Sequence, residues 1–338
     1  MQEALDRDKP TSSTEMTPWL ASQIQKMLNE IYEEYKNVDD GEVATYIPEL
    51  GKANPNHFGI CLATVEGHVF TAGDWESEFT IQSMCKPFAF QLALEQHGPE
   101  HTLRHVGMEP SGEAFNSIVL DRKTGRPFNP MVNAGAIAVA SLIKQVPVET
   151  GVNSFVETMG KAAGRPLSID ESVFASETET GNRNRAIAYL LLNAGIIDEY
   201  VQASLHQYFA QCSILVNCRD LAMMGATMAN MGNNPISGET VFNFQHLKYA
   251  MAVMFSCGLY DYAGNWAVEV GLPAKSGVSG GIFGVVNRQL GLAVYSPRLD
   301  AQGNSVRGIL ACKELADRLG LHVFDFSNMG SSFMQWLA

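Results

Sequence analysis

Ser83-Met84-Cys85-Lys86 sets a hydroxyl three residues ahead of an amine, just where an apolar helix is expected to begin. Residues three apart share a helix face, so the Lys86 amine falls within reach of the Ser83 oxygen. A serine alcohol is a poor nucleophile at neutral pH, and a lysine desolvated in a pocket can lower its pKa enough to take the proton. Serine-lysine hydrolases use this pairing. The four-residue pattern recurs by chance roughly once in a chain of this size, and here it has a second copy, Ser141-Leu142-Ile143-Lys144. Ser141 lies inside the run Ala134 to Ile143, which reads as a buried helix with Lys144 at its emerging end, so Ser141 is expected to be a small core residue. Ser83 follows the extended-looking Glu78 to Gln82 and precedes a helix that tolerates Pro87 only near its first turn, a junction expected to expose the serine.

Two other groupings suggest chemistry. Gly277-Val278-Ser279-Gly280-Gly281 has the letters of a nucleophile elbow, which would make Ser279 the attacker. An elbow needs a helix next, whereas Ile282 to Val286, a turn at Asn287-Arg288 and Leu290 to Tyr295 read as a hairpin. What is left is a glycine-rich strand edge whose amides can approach a ligand closely. Histidines 97, 101 and 105 are spaced by four, but Gly98-Pro99 interrupts the helix and HExxH is missing, so a solvated helix end is expected rather than a metal site. The chain has no GxxxxGK[ST] and no GxGxxG after a strand, so no nucleotide phosphate is implied.

The 338 residues, 46% hydrophobic and 17% charged, suffice for a large core. A formal charge of −13 and the lack of a basic cluster argue against a nucleic-acid partner. The six cysteines are scattered without a CxxC, and Met1-Gln2-Glu3-Ala4 does not read as a secretory leader, which together suggest reduced thiols in a cytoplasm. The longest apolar runs, such as Ala186 to Ile197, are too short for a membrane span.

The elements that must position the serine are read as follows. Residues 1–15 form a polar arm. Thr17 caps and Pro18 opens a helix ending near Asn37. Val43 to Leu50 is a short strand or loop, and Phe58 to Val65 with His68 to Ala72 form a hairpin about Glu66-Gly67. From Ser83 to about Met254 the pattern is almost wholly helical. Trp266 to Ala274, Gly281 to Val286 and Leu290 to Tyr295 return to strands, and Ser305 to Leu319 closes as a helix. The expected fold is α+β: an antiparallel sheet flanked by terminal helices, with an inserted all-helical lobe and a cleft between them. The expected boundaries are a single domain over 16–325, with a sheet lobe from about 16–82 and 255–325, a helical lobe from about 83–254, and a tail over 326–338.

Several segments carry a resemblance: Tyr46 to Leu50, Ser83 to Lys86, Asn129 to Ile137, Ser176-Glu177, Asn182 to Tyr189, Tyr208 ahead of Gln211-Cys212-Ser213, Gly258 to Asp261, and Gly271 to Gly281. In this order, from about Thr17 to Val323, the chain resembles the serine-dependent glutaminases, which share the fold of serine β-lactamases and penicillin-binding proteins. The resemblance implies hydrolysis of L-glutamine to L-glutamate and ammonia through a glutamyl-serine intermediate, with no metal or organic cofactor. It implies Ser83 as nucleophile, Lys86 as proton acceptor, Tyr260 as proton carrier, and the Ser83 and Val278 amides as oxyanion donors. It further implies that Glu177 pairs with the substrate ammonium, that Asn133, Asn184 and Tyr208 position the carboxylate end, and that Tyr46 lines the pocket. Met84 and Cys85 depart from the commonest text, at positions not expected to face the reacting carbonyl. A homotetramer is implied by resemblance. The competing expectations are a β-lactam or D-Ala peptide hydrolase on the same scaffold, since Lys275-Ser276-Gly277 resembles the Lys-Thr-Gly strand of those enzymes, and a non-catalytic amino-acid-binding protein.

Overall fold

A computed structural model describes residues 16–112 and 116–325. The expected polar arm over 1–15 and the tail over 326–338 lie outside these residues. The first helix, α1 (Pro18–Tyr35), starts as its sequence demands: the Thr17 hydroxyl accepts the Leu20 amide and proline occupies the first turn. A two-residue strand β1 (Glu42–Val43) follows, and only a loop and a 3₁₀ turn at Leu50–Lys52 occupy the rest of the segment expected as strand or loop. The hairpin of β2 (Gly59–Thr64) and β3 (Val69–Gly73) forms as expected.

Next come β4 (Phe79–Thr80), a 3₁₀ turn over Gln82–Cys85, and α2 (Lys86–His105), broken at Gly98 ahead of Pro99. The described residues of 106–112 and 116–132 are irregular rather than helical, a correction to the expected helical run. Asn129 organises its end, because its side-chain oxygen accepts the Met131 and Val132 amides and its side-chain nitrogen donates to the Glu109 carbonyl. An asparagine that satisfies local amides this way competes with helix formation. Then follow α3 (Asn133–Ile143), α4 (Val148–Ala163), α5 (Glu171–Thr180), α6 (Asn182–Asn193), α7 (Val201–Cys212), β5 (Leu215–Val216), α8 (Cys218–Ala229) and α9 (Phe244–Cys257).

The second correction concerns Trp266 to Ala274, expected as a strand. Residues Ala263–Glu269 form the short helix α10, and β6 is confined to Ala274–Ser276. Trp266 and Val270 are buried four residues apart, the helical spacing, while Val268 between them is exposed. The buried Trp266 indole donates to the Leu272 carbonyl at 2.7 Å, which fixes the turn into the strand. β7 (Gly281–Val286), β8 (Leu290–Tyr295), β9 (Arg298–Leu299) and α11 (Val306–Leu319), capped by Ser305, complete the chain.

The main sheet is antiparallel in the order β3-β2-β8-β7-β6, so its early and late strands meet where Ile60 pairs with Val294. Alternation along β2 divides the core between two faces. Ile60 and Leu62 pack with Leu28 and Ile31 of α1 and with Ala311 and Leu315 of α11. Cys61 and Ala63 face Leu221, Ala222 and the helical lobe. A sheet covered on both faces this way reads as continuous apolar strands, as β2, β7 and β8 do. The molecule is therefore α+β, an antiparallel sheet between its terminal helices and a helical lobe, and no described helix is long and apolar enough to cross a membrane.

Candidate active site

Ser83 and Lys86 lie in one 3₁₀ turn, where the Lys86 amide donates to the Ser83 carbonyl. Side chains three apart eclipse in a 3₁₀ turn, so this local geometry sets the hydroxyl and the amine on one edge. Gln82, the residue before the nucleophile candidate, has a left-handed φ of 49°, a conformation that costs energy and persists only where its surroundings enforce it. The junction does not expose Ser83 as expected: the residue is 6% exposed. The cause is packing, because the turn between β6 and β7 lies against it. A side chain on Gly281 would meet the Met84 methyl at 2.3 Å and the Phe79 ring at 2.9 Å, so only glycine lets this strand approach the nucleophile turn. Within that turn Gly277 donates to the Gly281 carbonyl and Gly280 to that of Gly277, and the Val278 amide takes part in neither bond.

Lys86 is buried to 1% exposure and holds the head of a polar chain. Its amine donates to the Met131 carbonyl at 3.2 Å and to the Asn133 side-chain oxygen at 2.7 Å. Asn133 donates to the Asn184 side-chain oxygen at 3.0 Å, and Asn184 to the Tyr46 hydroxyl at 3.4 Å. Asn133 opens α3 and Asn184 lies in the first turn of α6, so two helix starts deliver these amides. Burial pulls the Lys86 ammonium down to about 8, within reach of the neutral form that a base requires.

Glu177 sits near the end of α5, whose start is fixed by Asp170 accepting the Ser172 and Val173 amides. Burial raises its carboxyl to about 7, opposed by a hydrogen bond with Gln82 and by the charge of Lys86. Burial also pushes the Tyr208 hydroxyl, on α7, well above its usual value. Tyr46, partly exposed, is raised by burial and by Glu177 to about 12. Tyr260 has a left-handed φ of 54° and hydrogen-bonds both Ser83 and the Ser276 carbonyl, the latter at 3.3 Å. Burial raises it to about 12. A cavity of about 290 Å³ reaches Tyr260, Asn129, Met131 and Asp261. A larger cleft of about 510 Å³ along α4 contains none of these residues, and its Lys161 pairs with Glu157 and Glu239.

The second Ser-Lys copy differs in its contacts. Lys144 donates to the Ser141 carbonyl and hydroxyl at 2.9 and 3.3 Å and to the Asp198 carboxylate at 2.8 Å. Its amine is thus held by a carboxylate, whereas Lys86 donates to a backbone carbonyl and an amide oxygen. Ser279 is 5% exposed within the strand-edge turn. His97 and His105 contact the Leu142 and Ile196 carbonyls, with His101 packed between their rings. Three contacts in the cluster escaped the sequence reading: Gln82 on Glu177, the Met131 carbonyl on Lys86, and a Cys85-Cys212 thiol contact. Only Gln82 carried a signal, its adjacency to Ser83.

The glutaminase family model matches residues 41–324. A glutaminase of Nostoc sp. is 51% identical over 310 residues, covering 92% of this chain and 93% of its own. Among solved structures, the probable glutaminase YbaS superposes with a TM-score of 0.87 at 38% identity, covering 90% of this chain and 99% of that one. A probable glutaminase from Bacillus subtilis, solved in complex with 6-diazo-5-oxo-L-norleucine, gives a TM-score of 0.82 at 35% identity over 89% of this chain and 97% of that one.

Proposed function

The chain belongs to the glutaminase family, and from that premise we propose that it hydrolyses L-glutamine to L-glutamate and ammonia with Ser83 as nucleophile. The observation that carries the assignment of Ser83 is its shared 3₁₀ turn with a buried Lys86 drawn down to about 8, together with its hydrogen bond to Tyr260. Neutral Lys86 takes the Ser83 proton as the oxygen bonds to the side-chain amide carbon. The oxyanion forms against the Ser83 and Val278 amides, and each such donor lowers the barrier by about 3 kcal/mol. Collapse breaks the carbon-nitrogen bond, with Tyr260 passing a proton to the departing ammonia. Water then attacks the glutamyl ester, its proton leaves by the same groups, and Ser83 is regenerated.

Specificity rests on the zwitterionic end of the substrate. Glu177 in its ionised form holds the ammonium, Asn133, Asn184 and Tyr208 hold the carboxylate end, and Tyr46 lines the entrance. A buried polar site built this way rejects ligands that leave its groups unpaired. The family match favours this chemistry over β-lactam or D-Ala peptide hydrolysis. The proposal includes one domain over residues 16–325, a homotetrameric assembly and a cytoplasmic location. The cysteines, all free and buried, fit a reducing compartment. Ammonia release from glutamine by the wild-type protein and by Ser83→Ala tests the nucleophile: the substitution is expected to abolish release, and surviving activity would remove Ser83 from the mechanism.

A further inference from the structure

Lys275 on β6 has no part in the chemistry above, yet none of its surface is exposed. Its amine donates to the Gly258 carbonyl at 2.8 Å and to the Ser276 carbonyl at 2.7 Å, and lies 4.1 Å from the centre of the Tyr260 ring. An interior lysine loses its hydration, and two carbonyls and a ring face compensate less than a carboxylate would. Packing alone would be served as well by an apolar chain of similar volume. The partners of Lys275 all belong to the surroundings of one residue. Gly258 lies two positions before Tyr260, and the Ser276 carbonyl accepts from both the Lys275 amine and the Tyr260 hydroxyl. Tyr260 itself is held at a left-handed φ that its own side chain disfavours.

We propose that Lys275 is a positioning residue for Tyr260: it covers one face of the ring, ties the preceding loop to β6, and so keeps the hydroxyl on Ser83. The inference rests on the reading of Tyr260 as the proton carrier. Loss of the clamp leaves the pocket intact and lets the hydroxyl drift, and a misplacement of about 1 Å costs on the order of 100-fold in rate. The effect therefore falls on kcat rather than on KM.

The test is a double-mutant cycle of Lys275→Met and Tyr260→Phe, with kcat, KM and thermal melting measured on the full chain. Tyr260→Phe is expected to lower kcat about 100-fold. Lys275→Met is expected to lower kcat at least about 10-fold with KM within about twofold. In the Tyr260→Phe background the same change should alter kcat less than about twofold, because residues acting through one group are not additive. Folding of the methionine variant is favoured by the acceptors' remaining partners: the Ser276 amide on Gly258 and the Tyr260 hydroxyl on Ser276. If it does not fold, Lys275→Arg, which keeps a cation and donors, goes through the same cycle and must show the same loss of effect without the Tyr260 hydroxyl. Wild-type kcat in the Lys275 variant, its full effect persisting on Tyr260→Phe, or a KM rise matching the kcat loss would each overturn the proposal. Tyr260→Phe with wild-type kcat would instead remove Tyr260 from the mechanism, a separate outcome.

Discussion

Two side chains in the site titrate where their charges matter to the proposed chemistry. Lys86 must be neutral to accept a proton and is drawn down to about 8, while Glu177 must be ionised to hold an ammonium and is raised to about 7. Both requirements fail on the acid side, so kcat/KM measured against pH should fall from about pH 8 through pH 7; a flat profile over that interval would exclude both assignments. Glu177 also has a stability consequence. Its folded pKa lies above the 4.5 usual for a glutamate, so its contribution is fully present below pH 4.5 and is lost as pH rises through about 7. Glu177→Gln removes a charge that is costly to bury, and at pH 8 should raise unfolding free energy by about 1–3 kcal/mol while raising KM for glutamine at least about 10-fold. Urea melts at pH 8 and pH 4 check the sign, since the two proteins should converge at the lower pH. At this scale the sequence made Ser83 and Lys86 legible by spacing, whereas Glu177, Asn184 and Tyr208 emerged only through family resemblance. A lone carboxylate or amide carries no mark of the buried partners that three separate helices bring to it.

Helix starts position the two asparagines. Asn133 reaches Lys86 because α3 begins tightly against the segment before it: a side chain on Gly135 would lie 1.9 Å from the Asn129 carbonyl and 2.9 Å from Pro130. Gly135→Ala must push this backbone away, and overpacking of this kind costs about 1–3 kcal/mol. Because Met131 and Asn133 both accept from Lys86, the variant should also lose kcat at least about 10-fold; chemical denaturation and steady-state kinetics would show the two losses together. Elements with explicit end signals were readable in advance: α1 from Thr17-Pro18, the β2-β3 hairpin from Glu66-Gly67, α11 from Ser305. The described residues of 106–132 and Trp266 to Ala274 depart from the expected elements. In the first, the Met131 and Val132 amides and the Glu109 carbonyl bond the Asn129 side chain, and the apolar residues of the second follow a helical spacing too short to stand out from a strand.

Over the whole molecule, the nucleophile turn stands where the helical lobe meets the sheet, and both contribute to the site. In the proposed site α3, α5, α6 and α7 supply Asn133, Glu177, Asn184 and Tyr208, while the turn after β6 supplies Val278 and the 3₁₀ turn after α9 supplies Tyr260. The meeting of early and late strands followed from their hairpin patterns, but the contact between the glycine-rich turn and Met84 depends on tertiary packing that no local pattern encodes. If the proposed assembly is right, sedimentation equilibrium of the full chain will fit four times the 36.9 kDa protomer mass; a monomer across micromolar concentrations would contradict it. The most direct measurement of the central claim is acid-quench mass spectrometry of the enzyme turning over glutamine, followed by peptide mapping. The predicted result is a glutamyl ester on Ser83 that disappears, with ammonia release, in Ser83→Ala; an ester on another residue, or turnover that persists without Ser83, would contradict it.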